Sequence, residues 1–304
     1  MKIAILIPCY NEEKTIEKVI KDFSIQLPNA NIFVYDNNSK DKTYEIAKNA
    51  GAIVRKEKKQ GKGNVVRTMF RDIEADIYVL VDGDDTYPAE AVNKMILALE
   101  DGADMVVGDR LSNNTYAKEN KRPMHEFGNN LVRWSVNKFF EVNLSDIMSG
   151  YRVFSRRFVK NYPVLFEGFQ IETDMTIFSI HRFFDIKEIP IIYRDRPNGS
   201  VSKLNTYKDG LKVLFVIFNL YRYYKPLKFF SFLSLIFFII GVSIGIPVIL
   251  EFIKFRYVYK VPSAILASGL IILASLFLMS GLILDTIHHG NRETFEVSIR
   301  KNKE

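Results

Sequence analysis

Two uncharged runs near the C-terminus constrain this chain more than any other feature. Phe229–Leu250 holds 22 residues and Val261–Leu284 holds 24 without a charged side chain, separated by the polar segment Glu251–Lys260. At about 1.5 Å per residue, a helix of either length reaches across about 30 Å of hydrocarbon, and a soluble helix so long keeps a polar face. The pattern predicts a transmembrane hairpin over 229–285, with spans 229–250 and 261–284. Residues 200–228 carry six Lys or Arg and one Asp, which is +5 of the chain's net +7. Such basic flanks stay cytoplasmic and favour anionic lipid. Lys254, Arg256 and Lys260 in the turn blunt that argument. The expectation that both termini are cytoplasmic therefore leans on the large N-terminal part, whose first apolar stretch is too short for a signal peptide and lacks a small-residue cleavage site.

Just ahead of the hairpin, Leu211, Leu214, Phe215, Phe218 and Tyr221 or Tyr224 recur at helical spacing, with Lys208, Lys212 and Arg222 among them. Residues 206–228 thus read as an amphipathic helix lying at the membrane surface, a plain connecting helix being the alternative. Asn129–Val142 has a similar pattern. Residues 286–304 are expected as a cytoplasmic tail.

The first 205 residues follow a different rule. Short β-branched, apolar runs at 2–7, 31–36, 52–55, 76–82 and 104–108 alternate with amphipathic stretches such as Glu12–Ile25 and Pro88–Leu99. This predicts an α/β domain with a mainly parallel sheet covered on both faces. With 48% apolar residues, wholesale disorder is excluded, and the single cysteine, Cys9, excludes an internal disulfide or a multi-cysteine zinc site. Sheets of this kind bind ligands at the carboxyl ends of their strands. Three polar clusters fall there: Pro8-Cys9-Tyr10-Asn11-Glu12 after the first strand, Asp36-Asn37-Asn38-Ser39 after the second, and Asp82-Gly83-Asp84-Asp85 after the fourth.

Asp82 and Asp84 repel one another unless a cation joins them, and hard oxygen ligands select Mg²⁺ or Mn²⁺. Mg²⁺ takes one or two carboxylates and completes its shell with phosphate and water, which implies a diphosphate-bearing substrate. Gly61-Lys62-Gly63-Asn64 followed by Arg67 is a second phosphate-friendly element: glycines at a helix entrance allow close backbone approach, and Lys62 and Arg67 add charge. An ordinary loop before a helix has the same composition, and no Walker loop occurs in the chain.

These clusters, together with Ser149-Gly150-Tyr151-Arg152 and Gly199-Ser200-Val201-Ser202-Lys203-Leu204, resemble in order and spacing the motifs of family 2 glycosyltransferases of the GT-A (Rossmann-like) fold. More narrowly, residues 1 to about 228 resemble polyprenyl-phosphate glycosyltransferases, the group of dolichyl-phosphate mannose synthase and its bacterial undecaprenyl-phosphate counterparts. The resemblance implies that Pro8, Tyr10 and Glu12 contact the nucleoside, that Asp36 reads the base, and that Asp82, Gly83 and Asp84 meet the metal and diphosphate, with Lys62 and Arg67 on the donor side. Two positions depart from the pattern: Asn37 replaces a frequent second acid, and Thr86 stands where some relatives have a glutamine ligand. The implied acceptor is a lipid phosphate, whose second pKa of about 6 leaves it anionic near neutral pH and in little need of a general base. Bringing two anions together demands cations, and the candidates are Arg110, Arg133, Arg152, Arg196 and Lys203. Glu172 either orients the acceptor site or starts the helix Ile171–Phe183, and His125 and Glu126 lie in a segment that approaches the acceptor in relatives.

The implied reaction is the inverting transfer of a hexose or N-acetylhexosamine from a nucleotide diphosphate sugar to a polyprenyl phosphate on the cytoplasmic leaflet. UDP-glucose or UDP-N-acetylglucosamine is favoured and GDP-mannose is next. The alternatives are a processive polysaccharide synthase, whose Gln-x-x-Arg-Trp element is absent around Arg133-Trp134, and a non-catalytic sugar-nucleotide-binding membrane scaffold. Small residues on the spans, Gly241, Gly245, Ser263 and Ala267, offer close helix packing for a homo-oligomer. No nucleic-acid partner is expected.

Overall fold

The computed structural model describes residues 1–112, 125–197 and 206–301. The chain divides into two units, Met1–Ile217 and Phe218–Glu304. The first is built on a seven-stranded sheet of order β3-β2-β1-β4-β6-β5-β7. Its strands are β1 (Ile3–Cys9), β2 (Asn31–Asp36), β3 (Ile53–Lys56), β4 (Ile77–Leu80), β5 (Met105–Asp109), β6 (Arg152–Ser155) and β7 (Ile186–Pro190). All neighbours are parallel except β6, which runs against both β4 and β5. The expected strands are all present. β6 and β7 were not legible in the sequence: β6 is four residues long and opens on an arginine, and β7, Ile-Lys-Glu-Ile-Pro, is only half buried.

The helices α1 (Ile16–Gln26), α2 (Thr43–Asn49), α3 (Lys62–Asp72) and α4 (Val92–Glu100) connect the parallel half, with a 3₁₀ turn at Ala89–Ala91 leading into α4. Ile5, Ile7, Val79 and Val153 from the central strands pack against Ile16, Ile20 and Phe23 of α1 and Val92 and Met95 of α4 in one core. Burying such a side chain contributes about 1.5–3 kcal/mol, so the sheet centre fixes where the strand ends open. The helix predicted from Glu12 begins at Ile16 instead. Glu12 turns the chain first, its carbonyl accepting the N–H groups of Thr15 and Ile16, and is thereby left at the strand mouth. Helices α5 (His125–Phe140), α6 (Arg156–Asn161) and α7 (Ile171–His181) complete the antiparallel side. On α5, Val132, Val136 and Phe140 are buried while Trp134 is exposed.

Helix α8 (Thr206–Tyr224) leads into the second unit. It buries Val213, Val216, Ile217 and Leu220 and leaves Leu211, Phe215 and Phe218 exposed, an apolar stripe at i, i+4, i+7. Beyond it, α9 (Pro226–Phe255) and α10 (Val261–Lys301) form a hairpin, and both are long and apolar enough to cross a membrane. α9 starts on Pro226 and ends at Arg256 in the left-handed region, so the turn is shorter than Glu251–Lys260. The tail expected at 286–304 is a continuation of α10 as far as Lys301. The small residues have an intrachain use. A Cβ on Gly241 would come within 3.1–3.3 Å of Ile271, Leu270 and the Ala267 carbonyl, and one on Gly245 within 3.5 Å of Ala267. The close packing expected between copies is used inside the hairpin, and Ser234 adds a hydroxyl bond to the Ala274 carbonyl at 2.7 Å.

Candidate active site

The carboxyl ends of β1, β2 and β4 bring the three polar clusters together and stitch them to one another. The Asn11 and Glu12 N–H groups donate to the Ser39 and Thr43 hydroxyls (2.9 and 2.8 Å), and the Lys40 N–H returns a bond to Asn11 Oδ1 at 2.8 Å. The Thr15 hydroxyl donates to the Gly83 carbonyl at 2.6 Å, tying the third cluster to the first. Gly83 is required at its position, because a Cβ there would lie 2.7 Å from Cys9 Sγ. Burial raises the Cys9 thiol well above its ordinary pKa, and the carboxylates of Glu12, Asp36, Asp82 and Asp84 add to the effect. Cys9 is therefore an inert floor, and its surroundings show how much negative charge converges here.

Two resident cations answer that charge. Lys62, at the first turn of α3, places Nζ 2.5 Å from Asp82 Oδ1 and 2.7 Å from Glu172 Oε1. Burial works against its charge, but these two carboxylates prevail and raise its pKa. Beyond Gly83, Arg196 pairs with Asp84 Oδ2 and stands 3.7 Å from Glu12 Oε1. Asp84 Oδ1 accepts the Thr86 hydroxyl at 2.6 Å. Burial raises the Asp84 pKa, Asp82 raises it further, and Arg196 and Thr86 oppose them. Asp36 is 2% exposed, and its Oδ1 accepts no hydrogen bond among the described residues. A buried acceptor left so costs about 1–3 kcal/mol until a donor arrives.

Glu172 does more than start α7, since it holds the buried ammonium of Lys62. Its place in the first turn of α7 agrees with the helix-start alternative, and the Lys62 contact is a second role beside it. The Gly-Lys-Gly loop differs from expectation. A Cβ on Gly61 or Gly63 would meet the carbonyl oxygens of Glu167 and Phe166 at 2.3 and 1.9 Å, so both glycines admit the chain's own backbone. Asn37 organises that loop: its side chain donates to the Glu57 and Lys59 carbonyls and accepts the Gly61 N–H at 2.7 Å. The position that departs from the expected acid is thus a scaffold for the lysine.

No group of three or more His, Cys, Asp or Glu suited to a metal is present among the described residues. The donor set still fits a hard divalent cation. Asp82 and Asp84 are two carboxylates flanking one glycine, Asp84 is buried beside a like charge, and Mg²⁺ characteristically draws only one or two protein oxygens.

A profile of the family described as Glycosyl transferase family 2 matches residues 4–162. The chain belongs to this family. Glycosyltransferase AglJ of Haloferax volcanii is 30% identical over 292 residues, covering 96% of this chain and 95% of that protein. Dolichol-phosphate mannosyltransferase of Pyrococcus furiosus is 26% identical over 240 residues, 74% of this chain and 64% of its own. In fold, the chain is similar to glucosyl-3-phosphoglycerate synthase from Mycobacterium tuberculosis in complex with Mn²⁺, UDP and phosphoglyceric acid, with a TM-score of 0.59 at 19% identity over 72% of this chain and 78% of that one. The GT-A architecture is therefore that of this family 2 glycosyltransferase.

Several expected site residues of the glycosyltransferase lie elsewhere or are already bonded. Arg152 is fully buried, its guanidinium donating to the Ser149 and Ile147 carbonyls and the Thr176 hydroxyl, so it supports the sheet instead of facing an acceptor. Arg67 donates to the Val164 carbonyl and Asn64, bracing α3 away from the carboxylates. Arg110 clamps Asp146 through two side-chain bonds of 2.7 and 2.9 Å and lies over the Tyr193 ring. Arg133 donates to Asn130 on the surface of α5. Pro8 and Tyr10 are half buried at the end of β1. Lys203 with its motif, and the side chains of His125 and Glu126, lie outside the described residues. The sequence reading missed Tyr87, and it named Thr86 and Gly150 without their contacts. Tyr87 accepts the Gly150 N–H at 2.9 Å, Thr86 braces Asp84, and Gly150 lies where a Cβ would be 2.5 Å from Asp82 and 2.8 Å from Lys62. A hydroxyl two residues after an aspartate was the available signal for Thr86.

Proposed function

We propose that this enzyme transfers a hexose or N-acetylhexosamine from a nucleotide diphosphate sugar to a polyprenyl phosphate at the cytoplasmic face of a membrane. The observation that carries the reading is the clustering of Glu12, Asp36, Asp82, Asp84, Lys62 and Arg196 at one strand edge, in a chain that goes on to two membrane-length apolar helices. Dolichol-phosphate mannosyltransferase among its relatives supports the acceptor class. UDP-glucose or UDP-N-acetylglucosamine is the favoured donor. The open Oδ1 of Asp36 supports base reading, since a base N–H would complete it.

In this reading, a phosphate oxygen of the lipid attacks the anomeric carbon as its bond to the diphosphate breaks, inverting the centre and releasing the nucleoside diphosphate. A bound Mg²⁺ or Mn²⁺, held by Asp82 and Asp84, would supply positive charge to the leaving diphosphate. Lys62 fixes the Asp82 carboxylate, and Thr86 fixes that of Asp84. The lipid phosphate is already anionic near neutral pH, so alignment and charge stabilisation dominate over proton removal. The exposed stripe Leu211, Phe215, Phe218 suits a helix lying on the bilayer, and a hairpin returns both flanks to one side.

Membranes containing the protein, given a panel of radiolabelled nucleotide sugars and polyprenyl phosphate, test the proposal. One donor is expected to yield an acid-labile lipid-linked sugar, with activity lost in EDTA, restored by Mn²⁺ or Mg²⁺, and absent in a folded Asp84→Asn variant. Full activity in EDTA overturns the metal assignment, and no transfer from any donor favours the scaffold.

A further inference from the structure

Both carboxylates of the Asp82–Asp84 pair already carry a side-chain cation, and the two cations differ in how they are held. Lys62 is 8% exposed, sits between two carboxylates, and is walled in by Gly150. To leave, it would have to give up both carboxylates at once. Arg196 is different. Its guanidinium is 18% exposed and caps Asp84 Oδ2, while Asp84 Oδ1 is bonded by the Thr86 hydroxyl. A divalent cation seeking Asp84 Oδ2 meets Arg196 there.

The backbone leading to Arg196 is pinned up to a definite point. Ile191 N–H donates to the Asp109 carbonyl and Arg194 N–H to the Thr86 carbonyl at 3.1 Å, with the Arg194 guanidinium on Glu90. Arg196 lies two residues past the Arg194 tie, and its own N–H donates to the adjacent Asp195 side chain. Arg196 is the more exposed of the two cations, 18% against 8%, and a change of partner at Asp84 Oδ2 leaves the Thr86 bond to Oδ1 untouched.

We propose that Arg196 is an exchangeable counter-cation, holding Asp84 and Glu12 until a divalent cation arrives with a diphosphate, whose oxygens then receive the displaced guanidinium. The inference rests on the metal assignment proposed above and adds a consequence to it. A divalent cation alone must expel Arg196 from its carboxylate with no new anion to take it. With a diphosphate present, the guanidinium exchanges a carboxylate for phosphate oxygens, which it grips equally well. Cation and nucleotide therefore bind cooperatively, and the coupling is reciprocal.

Titration of the full-length protein in detergent with Mn²⁺, read by the loss of the free-ion electron paramagnetic resonance signal, tests this with and without UDP, and with GDP in a parallel arm. In the wild type, one of the two nucleotides is expected to tighten Mn²⁺ by about 5- to 100-fold. In Arg196→Gln, Mn²⁺ alone should bind about tenfold tighter than to the wild type, and the enhancement by nucleotide should shrink. Arg196→Lys should lie between the two. Mn²⁺ binding to Arg196→Gln no tighter than to the wild type, in protein with an unchanged thermal melt, overturns the exchange. Asp84→Asn separates the two readings: if it binds Mn²⁺ as the wild type does, the metal assignment itself fails, whatever Arg196 does.

Discussion

Replacing Lys62 by Met leaves a hydrophobic stem of similar length and removes the ammonium between Asp82 and Glu172. Asp82 is more than a quarter exposed and can turn to water, whereas Glu172 is only 6% exposed and is left as a buried charge without its cation. Breaking a buried pair in this way costs about 3–5 kcal/mol. For a unit of the size of Met1–Ile217, each kcal/mol lowers the melting temperature by about 2–4 °C, so Lys62→Met should melt roughly 6–20 °C below the wild type. Adding Glu172→Gln removes the orphaned charge and should recover much of the loss, giving a coupling above about 1 kcal/mol in the double-mutant cycle. Trp134 is the chain's single tryptophan and lies on α5, so its fluorescence during heating reports on this unit and not on the hairpin. A melting temperature within about 2 °C of wild type for Lys62→Met, or a double variant no more stable than the single, would refute the idea that this ammonium holds the carboxylates together.

Gly63→Ala should cost about 1–3 kcal/mol, measured by the same melt, because the new Cβ would fall 1.9 Å from the Phe166 carbonyl oxygen and threaten the Gly63 N–H bond to the Glu167 carbonyl. Asp174, whose carboxyl accepts the Tyr162 hydroxyl, is raised by burial from its ordinary 3.8 to about 6. A pKa higher in the folded state means that the native protein holds the proton more tightly, so the stabilisation is complete below 3.8 and is lost as pH rises through about 6. At roughly 1.4 kcal/mol per pH unit this is on the order of 3 kcal/mol, and Asp174→Asn should gain on the wild type across that window. A stability difference between the two that is the same at pH 4 and pH 8 contradicts the assignment.

The parallel half of the sheet was legible because β1, β2 and β4 are largely buried and rich in β-branched and apolar residues, and because Asp36, Asp82 and Asp84 sit where these strands end. The antiparallel half was hidden. β6 begins with Arg152, whose charge argues against a buried strand until the Ser149, Ile147 and Thr176 partners are seen. Composition could nominate cations but not say which carboxylate each would meet: Arg152 and Arg67 turned inward, while Lys62 found Glu172, 110 residues away in sequence. Glycine spacing suggested a phosphate cradle, and only the placement of Phe166 and Glu167 revealed that a backbone already lies in it. Pairings of this kind depend on distant segments meeting, and no local pattern encodes them.

The antiparallel entry of β6 has a further effect on how the sheet assembles. Gly150 leads into β6 with its Cα tucked against Asp82 and Lys62, and Leu80 stands opposite Arg152 in the ladder. A slide of one residue either way would bring Ser149 or Tyr151 to that spot and drive a side chain between ammonium and carboxylate, while reversing every other side chain of the strand. The charged pair thus acts as a gauge for β6: only one alignment of the inverted strand lets it close, so the groups proposed to meet the donor also check that the sheet has been laid down in register.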